Sequence, residues 1–344
     1  MFHAVIMAGG KGTRFWPLSR AKKAKQFLQI VGDKTLLAHT ISRVASIALE
    51  NIWVIGNRSQ AHELNKIGNA VPKKQLLKEP FGCNTAPSIA IAAIALLAKD
   101  PDAVMAVLPA DHMIDSSSRF REILKKASRH VLRHDDFVTI GIPPTFPHTG
   151  YGYIEATDKT LAMSPVLRFC EKPDTATAQT FVDQGNFYWN AGIFVWRAKS
   201  ILSAIYDLMP EMRAGIDILM TDGITGKSLD AAYKLFPSIS IDYAVMEKSA
   251  ARTKVLAATF GWDDIGNWGA MSQYWPKDTH DNAHRGTLMT INSHHNVVYS
   301  HKTVTLIDVD NLVVVDTPDA LLIVPKSSDQ KIRDLYEKLP KGHQ

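Results

Sequence analysis

The chain has 344 residues, 46% of them hydrophobic and 21% charged, which gives enough apolar side chain for a large core and excludes a disordered chain. Its 39 basic and 34 acidic residues leave a net charge of +5, and close basic pairs such as Lys22-Lys23 and Lys73-Lys74 are isolated, so no stripe exists to bind nucleic acid. Two cysteines, Cys83 and Cys170, exclude a disulfide framework. No apolar run reaches the roughly 18 residues of a membrane span, and the first residues lack the basic and apolar regions of a signal peptide, so a cytoplasmic protein is expected.

In chain order, the apolar run Ala4-Val5-Ile6-Met7-Ala8 predicts a buried first strand. It feeds Gly9-Gly10-Lys11-Gly12-Thr13-Arg14. Glycines let backbone N–H groups approach phosphate oxygens, and Lys11, Arg14 and Arg20 supply neutralising charge. The Walker spacing is missing, and the dinucleotide pattern lacks its third glycine because position 15 is Phe. Leu37, Ile41, Val44 and Ala48 recur at helical spacing, and residues 51–56 read as a second strand, which together start a parallel βαβ unit. A helix is expected near Ser59 to Ala70, then, from Leu76 on, a short strand that runs into a loop, and a helix from Pro87 to Ala98, with Asn84 or Thr85 placed to cap it. Residues 103–109 read as a central strand that delivers Asp111 at its carboxyl end, where open parallel sheets bind ligands.

Phe120 to Leu132 reads as a helix, Phe137 to Gly141 as a strand, and 143–153 as a loop with Gly150 and Gly152 among tyrosines. A strand from Val166 ends in Glu171-Lys172, and another carries Asn190. Ile201 to Leu219 reads as helical, and Asp263-Asp264 follows between Trp262 and Gly266. Beyond Arg285, short β-rich runs recur with Asn, Asp, Pro and Ser between them, before a final amphipathic helix through Ile332, Leu335, Tyr336 and Leu339. The fold class is α/β: a Rossmann-like, mostly parallel mixed sheet flanked by helices, residues 1–284, then a small β-helix-like domain with a terminal helix, residues 285–344. Taken singly, each feature has an ordinary use: a tight turn, a helix cap, a solvated Glu-Lys pair.

The run Gly9-Gly10-Lys11-Gly12-Thr13-Arg14-Phe15-Trp16-Pro17-Leu18-Ser19 resembles the N-terminal motif of sugar-1-phosphate nucleotidylyltransferases, and its Phe-Trp-Pro-Leu-Ser-Arg part that of the mannose-1-phosphate guanylyltransferases. Further motifs follow in the family's order over about residues 1–268: Lys25-Gln26-Phe27, with Ala24 where the family has proline; Glu79-Pro80 and Asn84-Thr85-Ala86; Leu108-Pro109-Ala110-Asp111-His112; Thr149 to Ile154; Glu171-Lys172-Pro173; and Asp264-Ile265-Gly266. The resemblance implies transfer of GMP from GTP to mannose 1-phosphate with Mg²⁺ on Asp111 and Asp264. It implies Arg14, Lys25 and Lys172 as catalytic cations. Nucleotide contacts would come from Ala8, Gly9, Gly10, Gly12, Thr13, Glu79, Asn84 and Thr85, with Glu79 or Asn84 reading guanine. Sugar-phosphate contacts would come from Gly152, Glu171, Lys172, Asn190 and Asp242. It also implies a homodimer built through the C-terminal part; longer relatives append an isomerase domain for which this chain has no room. The alternatives are another hexose 1-phosphate or nucleoside triphosphate, a non-catalytic sugar-nucleotide-sensing subunit, and a dinucleotide-dependent oxidoreductase, which the missing glycine disfavours.

Overall fold

The structure, a computed structural model, describes residues 1–344, the side chains of Leu49 and Asn69 apart. The chain divides into two compact units. The first is Met1–Gly9, Thr40–Ala110 and Ile114–Trp262; the second is Gly10–His39, Asp111–Met113 and Asp263–Gln344.

The first unit is built on a nine-stranded sheet of β1 (Phe2–Met7), β2 (Ile52–Asn57), β3 (Leu76–Glu79), β4 (Val104–Pro109), β5 (Phe137–Ile142), β6 (Tyr153–Ala156), β7 (Met163–Cys170), β8 (Phe187–Arg197) and β9 (Thr253–Ala257). The order is β3-β2-β1-β4-β8-β5-β9-β7-β6. The first four strands are parallel, with Ala4 opposite both Ile52 and Ala106, and β8 then enters antiparallel beside β4. Strands covered on both faces need continuous apolar sequence, which is what Ala4 to Ile6 and Val104 to Leu108 supply.

The helices of this unit include α1 (Thr85–Leu97), α2 (Ser117–His134), α3 (Thr175–Gln184), α4 (Ala198–Leu208), α5 (Arg213–Asp222) and α6 (Gly226–Tyr233), and a further helix, Leu36–Ala48, precedes β2. α1 is Ala and Ile on almost every side, because it is buried in one core with β1, α4 and α5. Residues 201–219 are not one helix: Pro210, which has no N–H to give and crowds the preceding turn, splits them into α4 and α5. The region 59–70 holds only the helix Ala61–Asn65 between tight turns.

The second unit carries the C-terminal β structure. Strands β10 (Ala283–Arg285), β12 (Val297–Tyr299), β14 (Leu312–Thr317) and β15 (Ala320–Pro325) form a four-stranded sheet, and β11 (Leu288–Ile291) pairs with β13 (Val304–Ile307). β10, β12 and β14 stack in parallel with Ala283, Val297 and Val313 in register, as in coils of a β-helix. These residues share a core with Phe15, Trp16, Trp268 and Trp275. The indoles are satisfied there: Trp268 Nε1 donates to Trp16 O at 3.0 Å and Trp275 Nε1 to Ile30 O at 2.6 Å. That core is why residues 10–39 and 263–284, which sequence texture assigns to the larger domain, pack in the second unit. Among the described residues, no helix is long and apolar enough to cross a membrane.

An asparagine ladder holds the β-helix turns. Asn282 and Asn296 are both fully buried. Asn296 Nδ2 donates to Asn282 Oδ1 at 2.9 Å and to Val309 O at 3.0 Å, and Asn296 Oδ1 accepts from Leu312 N at 2.8 Å. Asn296→Ala strands these partners away from water, so it should cost on the order of 3 kcal/mol. Urea unfolding measures this; a loss under about 1 kcal/mol would mean the ladder is not a main support.

Candidate active site

The second unit contains a cavity of about 640 Å³ lined by Lys11, Gly12, Arg14, Lys25, Asp111 and Asp264 among others. The Gly-rich loop ends in a tight turn, Thr13–Phe15, that carries Arg14. Gly12 sits at φ +61°, and a Cβ there would fall 2.3 Å from Lys25 Cβ. Only glycine lets the loop close this tightly on Lys25. Gln26 Nε2 donates to Gly10 O at 3.1 Å and fastens the two segments again. Ala24, where proline was expected, holds φ −73°, an angle proline itself would impose, so the turn keeps its course without the ring.

Lys25 is 6% exposed, and a buried ammonium must be paired. Its Nζ lies 2.9 Å from Asp111 Oδ2 and donates to the main-chain oxygen of Asp264 at 2.6 Å. Burial works against the Asp111 carboxylate, but Lys25 and then His112 outweigh it and hold its carboxyl below the usual range. Asp263 faces another way: its Oδ1 accepts from Ile265 N at 2.6 Å and its Oδ2 from Tyr274 OH at 3.2 Å. Ile265 is thereby held at φ 45°, an outlier for a β-branched residue, with its side chain fully buried. Arg20 is not part of the cavity; its guanidinium donates to both carboxylate oxygens of Asp319 at 3.0 Å and lies over Trp16. Among the described residues no three His, Cys, Asp or Glu side chains form a metal cage. Two carboxylates on a cavity with room for phosphates and water nevertheless match the all-oxygen, partly hydrated coordination of Mg²⁺.

The first unit gathers the residues expected to hold the sugar phosphate. Asn190 N donates to Gly152 O at 2.8 Å, and Asn190 Nδ2 donates to Asp242 Oδ1 at 2.7 Å. A Cβ on Gly152 would lie 2.5 Å from Glu171 Oε1, so the loop rests against that carboxylate. Lys172 Nζ is 3.7 Å from Glu171 Oε2, and the residue sits at φ 41° with a largely exposed side chain. Asp242 opens a π-helical turn, Asp242–Met246, a distortion frequent at functional sites. Burial, then the neighbouring Asp242 charge, push the Glu171 carboxyl above its usual range; burial does the same to Asp242, against its Asn190 hydrogen bond.

The residues expected near the base are placed differently. Glu79 is 2% exposed, and its Oε1 accepts from Ser88 Oγ and, at 2.6 Å, from Tyr233 OH of α6. Its Oε2 would lie 3.0 Å from a Cβ on Gly9, the glycine that follows Ala8. Glu79 therefore ties β3, α1 and α6 together, and burial raises its carboxyl. Asn84 is exposed at φ 67°, its side chain accepting from Thr85 N, while Thr85 Oγ1 accepts from Ile241 N at 2.8 Å beside Asp242. Sequence reasoning missed Arg333, Tyr336 and Gln344, which line the cavity of the second unit from the far end of the chain.

Residues 3–281 match the nucleotidyl transferase family model, and residues 286–339 match that of the MannoseP isomerase/GMP-like beta-helix domain. The chain is 36% identical to the alginate biosynthesis protein AlgA of Pseudomonas aeruginosa, across 97% of this chain and 71% of that one. It is also 36% identical to a mannose-1-phosphate guanylyltransferase of Klebsiella pneumoniae, across 98% of this chain and 74% of that one. A solved structure titled mannose-1-phosphate geranyltransferase, from Thermus thermophilus, superposes with a TM-score of 0.89 at 31% identity over 98% of both chains. The chain belongs to the nucleotidyl transferase family. It is an enzyme of the sugar-1-phosphate nucleotidyltransferase kind.

The raised Glu171 carboxyl has a consequence for stability. A group whose folded pKa exceeds its unfolded one favours folding below the ordinary Glu range, and that contribution is lost as pH rises through the folded value. Glu171→Gln should therefore match the wild type in melting temperature under acid conditions and exceed it at neutral pH. Thermal scans across pH decide it; a difference independent of pH would contradict the sign.

Proposed function

We propose that this enzyme transfers GMP from GTP to mannose 1-phosphate, releasing GDP-mannose and pyrophosphate, in the cytoplasm and with Mg²⁺. The observation that supports it most is the Lys25 ammonium shared by Asp111 and Asp264, from residues far apart in sequence, in the same cavity as the Gly-rich loop. The site already stabilises a cation between those two residues. The printed names of the relatives from Klebsiella pneumoniae and Thermus thermophilus support mannose 1-phosphate, and the former supports the guanylyl group.

The attacking phosphate oxygen is anionic at neutral pH, so no general base is needed. The obstacle is the approach of two polyanions, which positioned positive charge removes. Mg²⁺ would be held by Asp111 and Asp264 and would neutralise charge on the transferred phosphate. Arg14 and Lys25 would steady the triphosphate, with the backbone N–H groups of Gly10, Gly12 and Thr13. Lys172, exposed and set at positive φ beside Glu171, would meet the phosphate of the sugar, while Asn190 and Glu171 would bond its hydroxyls. Asn84, exposed where Glu79 is buried, is the better placed of the two to meet the base.

A pyrophosphate-release screen of the purified chain, with each of four nucleoside triphosphates and several hexose 1-phosphates, tests the choice of substrates. The expected result is the highest kcat/KM for GTP with mannose 1-phosphate. A preference for another pair would reassign the substrates, and no release with any pair would favour a sensing role.

The enzyme would act as a homodimer. Met289 and Ile291 on β11 and Ile307 on β13 are 62%, 60% and 58% exposed, and Ile291 and Ile307 are register partners on one face. A second copy of the chain is the occupant this apolar face suits. Sedimentation should give a dimer for the wild type and a monomer for Ile307→Asp; a monomeric wild type would contradict the assignment.

A further inference from the structure

The cavity has a wall that lies beyond the motifs. The helix α7 (Ile332–Lys338) packs against the Thr13–Phe15 turn, with Ile332 and Tyr336 buried in one core with Phe15 and Trp16. With those two positions turned inward, Arg333 and Glu337, one helical turn apart, line the cavity that holds Lys11, Arg14 and Lys25. The segment after α7 fixes the helix in place. Gln344 Nε2 donates to Tyr336 O at 3.1 Å and to Leu339 O at 2.9 Å, which occupies carbonyls at the helix end. Trp16 Nε1 donates to His343 O at 2.9 Å, and Ala21 N to Gln344 O at 3.3 Å. The last helix is thus strapped to the residues that follow the Gly-rich loop.

Arg333 Nε lies 3.9 Å from Glu337 Oε1, and the Arg333 side chain is 63% exposed. An ion pair this long and this wet holds its partners loosely. The guanidinium keeps donors in a fork that suits phosphate oxygens. Lys25 and Asp111 occupy the more buried side of the cavity, with side-chain exposures of 7% and 31%. Arg333 lines its more exposed side.

We propose that Arg333 is a further phosphate-contacting residue, which binds the pyrophosphate portion of the nucleoside triphosphate, and that Glu337 competes for it when the site is empty. This rests on the cavity being the triphosphate site. The C-terminal helix then forms part of the active site, and the β-helix serves to present it. Arrival of the terminal phosphates exchanges one anionic partner of Arg333 for a better one, and release of pyrophosphate restores the Glu337 pair.

The test uses the full chain with Arg333→Ala, Arg333→Lys and Glu337→Gln. Calorimetry with inorganic pyrophosphate needs no turnover, and steady-state kinetics give KM for each substrate. Arg333→Ala should weaken pyrophosphate and raise the KM for nucleoside triphosphate about tenfold, the loss expected for one partly exposed charge-assisted contact. The KM for sugar 1-phosphate should stay within about twofold, because uniform damage to the fold would move both. Arg333→Lys should recover part of the loss, and Glu337→Gln should tighten pyrophosphate. An unchanged pyrophosphate affinity in Arg333→Ala, or equal shifts in both KM values, would overturn the assignment and leave the transferase reading standing. A wild type that binds no pyrophosphate would instead refute the reading of the cavity.

Discussion

One buried charge organises the cavity of the second unit. The Lys25 ammonium is all but sealed from water, so it must be matched by nearby oxygen, and the match is made by Asp111 and by the main chain of Asp264. Three stretches of sequence are thereby drawn to one point. Gly12 is forced to be glycine by the same closeness, since any side chain there would collide with Lys25. The cavity is rich in cations and holds carboxylates beside them, a composition suited to a polyanion that brings its own metal.

Backbone strain marks the same places. Ile265, beside Asp264, and Lys172, beside Glu171, both take positive φ. Ile265 is kept there by the Asp263 hydrogen bond and by complete burial of its side chain. Lys172 has no such burial, and its exposed ammonium is free of the packing that would dictate its direction. These two candidate positions, one in each unit, are therefore set by conformations the chain would not adopt unaided.

Much of this was legible from residues alone, and the rest was not for physical reasons. Continuous apolar runs announced β1, β2 and β4, since a strand covered on both faces has no room for polar residues. The glycine and cation spacing of the first loop, and the carboxylates after β4 and before Ile265, marked residues that the fold brings to one cavity. What stayed hidden depended on distance in sequence. Glu79 reads as an available carboxylate until Tyr233 arrives from α6 to occupy it. Arg333 reads as an ordinary exposed helix residue until Ile332 and Tyr336 dock on Phe15 and turn it toward the cavity. The strand Ala283–Arg285 is short and carries His and Arg, so its parallel pairing with Val297–Tyr299 leaves no local pattern. The split of residues 201–219 at Pro210 is masked by apolar spacing that is helical on either side.

In the proposed reaction, Asp111 and Asp264 would hold one divalent ion beside the Gly-rich loop. The most direct measurement is anomalous scattering from Mn²⁺ in crystals of the wild type and of Asp111→Asn, each grown with a non-hydrolysable nucleoside triphosphate. The account predicts a Mn²⁺ peak bonded to both carboxylates and to phosphate oxygen in the wild type, with Lys25 shifted off Asp111, and no peak at that position in Asp111→Asn. A wild-type ion bound away from these two residues, or one undiminished by the substitution, would contradict it.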